Sequence, residues 1–224
     1  MDIAPLLHVT RGVTALIGGG GKTTLLYTLA EELHRRGTVI VTTSTHIQRP
    51  EQYPVLPEGG KDAITAALSE NDVVCVAGGS PEGKLSAPAL PFELLSELAD
   101  YVLVEADGSK RLPLKAHAPH EPVIPACAGQ TVCVVGADGF DRPIAEVCHR
   151  PERYAALCGA ALGDIVTPAM AAQVLLAEGY GTVYAVDIRY LASDLLGRFV
   201  DFPDGADVLF LYSAAVLHNS VTLK

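Results

Sequence analysis

The chain has 224 residues, 49% of them hydrophobic, and a formal net charge of −10. That is enough apolar material for a sizeable α/β core, and the acid excess excludes a general nucleic-acid binder, which needs clustered Lys and Arg against phosphates. No apolar run approaches the roughly 20 residues that cross a bilayer, and Met1 to Arg11 has Asp2 but no basic leader region, so a cytoplasmic protein without membrane or nucleic-acid partners is expected.

Taken in order, Val13 to Ile17 is a β-type run that leads through Gly18-Gly19-Gly20-Gly21-Lys22-Thr23-Thr24 into a helix predicted over Thr23 to Arg36. Leu25, Leu26, Leu29, Ala30 and Leu33 form its apolar face, and Gly37 supplies the stop. Thr38 to Thr42 reads as a buried parallel strand ending in Thr43-Ser44-Thr45-His46. Residues 49–60 read as loop, Lys61 to Leu68 as helix, Val73 to Ala77 as strand and residues 80–91 as loop. Phe92 to Ala99 is a short helix and Tyr101 to Val104 a strand. An irregular insert over 106–130 then breaks the alternation, and segments of that length inside a compact domain are usually functional. Thr131 to Gly136 returns to strand, Pro151 to Cys158 reads as helix, and Thr167-Pro168 caps a helix running to about Glu178. Val183 to Asp187 and Val208 to Tyr212 read as late strands, with a helical piece near Leu191 to Leu196. Alternating strands and helices predict an α/β, P-loop NTPase-like fold, a mainly parallel sheet with helices on both faces. The expected organisation is a single domain over 1–224, with the insert at 106–130 and a divergent C-terminal part from 182 to 224.

A strand, a glycine loop and Lys-Thr at a helix start is the arrangement that holds nucleotide phosphates. Glycines let backbone N–H groups converge without Cβ clashes, and the helix N-terminus and lysine add positive charge. This places the nucleotide, ATP or GTP, on Gly18, Gly19, Gly20, Gly21, Lys22, Thr23, Thr24 and Gly108. Leu16 stands where the longer consensus has its first glycine, so the loop is a shortened variant. Val102-Leu103-Val104-Glu105 continues into Ala106-Asp107-Gly108, which fits an acid-x-x-Gly motif with Glu as the acid. Thr23 and Glu105 are then the Mg²⁺ ligands, Gly108 the γ-phosphate sensor, and Lys22, Glu105 and Asp107 the catalytic set, with Asp107 orienting a water or a substrate hydroxyl.

Thr45 and His46 end a strand at the edge where open α/β sheets bind ligands. Lys110, Arg111 and Lys115 mark either a second anionic group or a solvated loop, and His117, His120, His149 and Arg150 are further candidates for that cleft. Ile17 stands where nucleotide-sandwich ATPases carry a second lysine, and no Asn-Lys-x-Asp follows the last strand, so no motif chooses the base. None of the five cysteines shares C-x-x-C spacing; Cys75 and Cys133 read as core residues, and the roles of Cys127, Cys148 and Cys158 stay open.

Gly18 to Thr24, Thr42-Thr43-Ser44-Thr45-His46 and Glu105-Ala106-Asp107-Gly108-Ser109-Lys110 together resemble the YqeC family, selenium-dependent hydroxylase accessory proteins also described as selenium cofactor biosynthesis proteins. Leu112-Pro113-Leu114-Lys115-Ala116, Gly136-Ala137-Asp138-Gly139 and His149-Arg150-Pro151-Glu152 add to the resemblance, which runs from Leu7 to Gly181. The resemblance implies a P-loop NTP hydrolase or phosphotransferase acting in maturation of molybdenum hydroxylases that carry labile selenium. It puts Lys22, Thr23, Glu105 and Asp107 at the nucleotide–Mg²⁺ site and Lys110, Lys115, His149 and Arg150 near a substrate. The implied partner is a molybdenum hydroxylase apoprotein or its cofactor. Two other readings are a nucleotide-gated cofactor chaperone with little turnover and a small-molecule kinase.

Overall fold

The β-branched runs of the sequence become strands and its leucine-rich periodic stretches become helices. In the computed structural model the described residues are 2–57, 59–79 and 83–179, followed by the backbone of three later strands. The strands up to the middle of the chain are β1 (Gly12–Gly18), β2 (Val39–Thr43), β3 (His46–Gln48), β4 (Val55–Leu56), β5 (Val73–Val76), β6 (Gly78–Gly79), β7 (Lys84–Ser86) and β8 (Tyr101–Glu105). Then come β9 (Leu114–Lys115), β10 (Ala128–Val134), β11 (Cys148–His149), β12 (Val183–Val186), β13 (Leu195–Asp201) and β14 (Asp207–Ser213). The helices are α1 (Lys22–Leu33), α2 (Lys61–Glu70), α3 (Phe92–Leu98), α4 (Ile144–Val147), α5 (Pro151–Cys158) and α6 (Pro168–Ala177). The fold is α/β and its sheet strands pair mainly in parallel.

Chain contacts define two compact units: Met1–Ile17, Lys22–Gly108 and His120–Thr131 form the first, Gly18–Gly21, Ser109–Pro119 and Val132–Lys224 the second. In the first unit the strand order is β4-β5-β2-β8-β1, all neighbours parallel. β2, β5 and β8 are buried along their whole length, as continuous apolar runs with helices over both faces require. Ile40, Val74, Val76, Val102 and Val104 pack with Ile64 and Leu68 of α2 and Leu95 of α3 on one face. The α1 helix contacts β2 and β8, and its buried Leu25, Leu26 and Leu29 lie outside that cluster, so it takes the other face. The register sets Glu105 opposite Leu16 on one side and Thr43 on the other, which brings three strand ends to one edge. In the second unit β10, β12 and β14 pair in parallel and β13 joins β14 antiparallel.

Several elements differ from their sequence expectation. Residues 49–60 and 80–91 contain the short strands β4 and β7, and β3, β7 and β6 form a small antiparallel sheet. Strands of two or three residues are too short to display a period, and their pairing is non-local. The helix expected near 191–196 is corrected in part: Leu195-Leu196 open β13, a leucine pair being compatible with either period, while 187–194 lie outside the described residues. Residues 214–224 also lie outside them. The irregular stretch 106–130 is divided between the units, with Ser109–Pro119 in the second and its flanks in the first.

Candidate functional site

Within the first unit, β8 delivers Glu105 to the sheet's carboxyl edge and α1 starts at Lys22. The Thr23 hydroxyl donates to Glu105 Oε2 at 2.7 Å, and Lys22 Nζ lies 3.1 Å from Asp107 Oδ1. Lys22 is 4% exposed, Asp107 0% and Glu105 8%, so this is a desolvated cluster of two carboxylates, one ammonium and one hydroxyl. Burial raises the Glu105 pKa above the ordinary carboxylate value, Lys22 and the Thr23 hydrogen bond pull it down, and Asp107 adds to the rise.

The backbone around Glu105 is held from two strands. Its carbonyl accepts from the Thr43 hydroxyl at 2.7 Å and from Ser44 N–H at 3.1 Å, and Ala106 N–H donates to Leu16 at 2.9 Å. Thr43 Oγ1 in turn accepts from Thr45 N–H at 3.0 Å. The Ser44 and Thr45 hydroxyl oxygens are buried without a hydrogen-bond partner among the described residues. His46, expected beside Thr45 at the site, opens β3 with an exposed side chain. Thr24 is exposed on α1, and Gly108 is exposed with open space where a Cβ would stand.

The second unit holds the glycine loop and the basic residues. Gly18 and Gly21 have φ near +100°, a conformation that L side chains rarely adopt. Gly19 N–H donates to Val134 O at 2.7 Å and Gly20 N–H to Pro113 O at 3.2 Å; Gly136 N–H shares that Pro113 oxygen at 2.8 Å. A Cβ on Gly19 would stand 1.8 Å from Pro113 O, so only glycine fits this approach. Two of the four amides expected to face phosphate therefore donate to backbone carbonyls here.

β9 and β11 pair with Lys115 opposite His149, Ala116 N–H donates to His149 O at 3.1 Å, and Arg150 Nη1 donates to Ala116 O at 3.2 Å. Lys115, His149 and Arg150 are thereby brought together, Lys115 at 5% exposure. Lys110 lies on an exposed turn, with Lys110 and Arg111 both at positive φ. His117 and Glu178 form a buried pair, Nδ1 to Oε2 2.6 Å, and His117 N–H donates to Oε1 at 2.6 Å. Sequence reasoning missed the Lys22–Asp107 pair, the Thr43–Ser44 brace and the His117–Glu178 pair. The first two are side-chain geometry, and the third spans 61 residues with no local pattern. No group of three or more His, Cys, Asp or Glu suited to a metal occurs among the described residues.

Glu105 and Asp107 come from the Glu105–Lys110 block, Lys22 and Thr23 from the glycine segment, and His149 and Arg150 from the His149–Glu152 match. Comparison with known proteins covers a span that contains these blocks. The "YqeC protein" family matches residues 14–152, more than half of the chain. "Uncharacterized protein YqeC" of Escherichia coli (strain K12) is 32% identical over 164 residues, 66% of this chain and 60% of that relative's length. No solved structure matches. With the match running from the first strand past the glycine loop, the acidic block and the Lys115–Arg150 segment, the chain belongs to the YqeC family.

Proposed function

We propose that the protein is a Mg²⁺-dependent nucleotide-binding factor of the P-loop class. It would use ATP or GTP in the cytoplasm, in maturation of selenium-dependent molybdenum hydroxylases or their cofactor. The maturation half rests on the family resemblance; the nucleotide half rests on one observation, the desolvated Lys22–Thr23–Glu105–Asp107 cluster at a parallel sheet's carboxyl edge. Hydroxyl and carboxylate are hard donors suited to Mg²⁺, and their 2.7 Å separation is close to the roughly 3 Å between adjacent ligands of an octahedral site. Thr23 and Glu105 would hold the ion, which when bound neutralises developing phosphate charge. Lys22 would leave Asp107 for a phosphate oxygen, and Asp107 would then be free to accept a proton from, or orient, the attacking hydroxyl. Positioning and fixed charge supply most of the rate in such chemistry.

A second reading, a nucleotide-gated cofactor chaperone, is favoured by the glycine loop. Gly19 and Gly20 N–H groups must exchange the Val134 and Pro113 carbonyls for phosphate, which couples binding to a backbone rearrangement. Two measurements test these readings. Mg–nucleotide binding by calorimetry should be lost in Lys22→Ala, and binding unchanged from wild type rejects the site. Phosphate release by the isolated protein supports an enzyme, whereas release only with an apo-hydroxylase present supports the gated carrier.

A further inference from the structure

The first unit carries a cleft of about 330 Å³ along α1, beginning at Thr23. Two tyrosines wall it: Tyr27, on the helix, and Tyr53, on the loop after β3, with ring centroids 5.7 Å apart and planes at 69°. In such an edge-to-face pair one ring keeps an uncovered face, which is a stacking platform. Tyr53 is buried, at 9% exposure, and its hydroxyl donates to Glu31 Oε1 at 2.5 Å, so it is the fixed backing and the half-buried Tyr27 is the ring left to stack. Glu31 and Gln52 stand exposed at the rim, and Thr28 offers a further oxygen from the helix. Glu31 accepts hydrogen bonds only, whereas the Gln52 amide both donates and accepts. Among the described residues no basic side chain lines the cleft, so it does not extend a phosphate site. Its chemistry is that of a ring binder: aromatic faces, one acceptor-only carboxylate and one amide.

We propose that this cleft seats a planar, amino-bearing nitrogen heterocycle beside the phosphates held at Lys22 and Thr23. The inference rests on the phosphate site proposed above. The heterocycle is either the base of that same nucleotide or a separate ring-bearing substrate, and both present a π face to Tyr27 and N–H donors to Glu31. Base–aromatic stacking is sequence-tolerant, while the donor edge meeting Glu31 discriminates among rings.

The test compares wild type with Tyr27→Ala and Glu31→Gln by calorimetry on the full chain. Glu31 is exposed, so its variant keeps the fold if Tyr27→Ala does not. The probes are Mg–tripolyphosphate, the β,γ-imido analogues of ATP and GTP with Mg²⁺, and free adenosine or guanosine added to analogue-saturated protein. If the ring is the nucleotide's own base, the variants bind at least one analogue about tenfold more weakly, the scale of one lost base–aromatic stack, and bind tripolyphosphate as wild type does. If the ring is a separate substrate, analogue binding is unchanged and nucleoside binding to the saturated wild type is lost in the variants. The proposal is overturned if the variants match wild type for every probe. Nucleoside binding that depends on Tyr27, with no tripolyphosphate binding and no effect of Lys22→Ala, rejects the phosphate site and retains the cleft.

Discussion

Lys22 and Asp107 form a pair at 3.1 Å, 4% and 0% exposed, so each charge is desolvated and leans on the other, with Glu105 as a further neighbour of both. Removing one charge of a buried pair typically costs about 3–5 kcal/mol, while removing both with similar volume is often neutral. Lys22→Ala should therefore lower unfolding free energy by that order, and Lys22→Met with Asp107→Asn should restore most of it in denaturant titrations. Nucleotide binding should stay absent in the double variant, which separates the lysine's structural role from its proposed ligand role. The thiols give a second test. Burial pushes Cys75 and Cys148 up to about 12 from an ordinary 9.0, and Cys133 is 2% exposed, whereas Cys127 and Cys158 are half-buried. At pH 8, a thiol reagent should modify Cys127 and Cys158 in the native protein and the other three only after denaturation. The folded chain holds the Cys75 and Cys148 protons up to about pH 12 and the unfolded chain releases them near 9. Unfolding therefore takes up no protons in that window but releases them, and stability falls as pH rises through it.

The elements are tied by a few backbone acceptors at their ends. Glu32 of α1, 7% exposed, accepts from Ile3 N–H at 2.8 and 2.7 Å and from Ala4 N–H at 2.7 Å, docking the N-terminal turn on the helix. Glu32→Ala leaves those amides unsatisfied and should cost about 1–3 kcal/mol, with early hydrogen exchange confined to residues 3–9. At the glycine loop, Gly19→Ala drives a methyl into the Pro113 carbonyl, so the second unit should lose thermal stability even without ligand. If phosphate takes the Gly20 amide, the Leu112–Leu114 segment should gain exchange or protease sensitivity on addition of Mg–nucleotide; unchanged protection would show that the loop keeps its present partners.

For the whole molecule, the charge of −10 sets the long-range field. Anionic polymers are repelled except at local basic clusters, so mobility-shift assays at physiological salt should show no retention of DNA or RNA. No helix among the described residues is long and apolar enough to cross a membrane. The first unit buries a parallel sheet between helices. The second carries a parallel core with one antiparallel strand, and α5 and α6 pack together.

Much of this was legible in one dimension because it is local. The helix at Pro151–Cys158 has the bounds that its proline start and apolar spacing predict, and Thr167 caps α6 by accepting from Met170 N–H at 3.2 Å. β2, β5 and β8 follow from β-branched runs, and Lys22, Thr23 and Glu105 are marked by a glycine loop and an acidic strand end. The short strands β3, β4 and β7 were not legible, since three residues carry no period. Pairing, burial and partner choice were decided only by the fold. Strand register put Glu105 between Leu16 and Thr43, and the meeting of distant segments gave Lys22 to Asp107, the Pro113 carbonyl to the Gly20 amide and Tyr53 to Tyr27. Local propensity is written residue by residue, whereas these contacts join segments from 26 to 93 residues apart, and no periodicity or spacing rule encodes them.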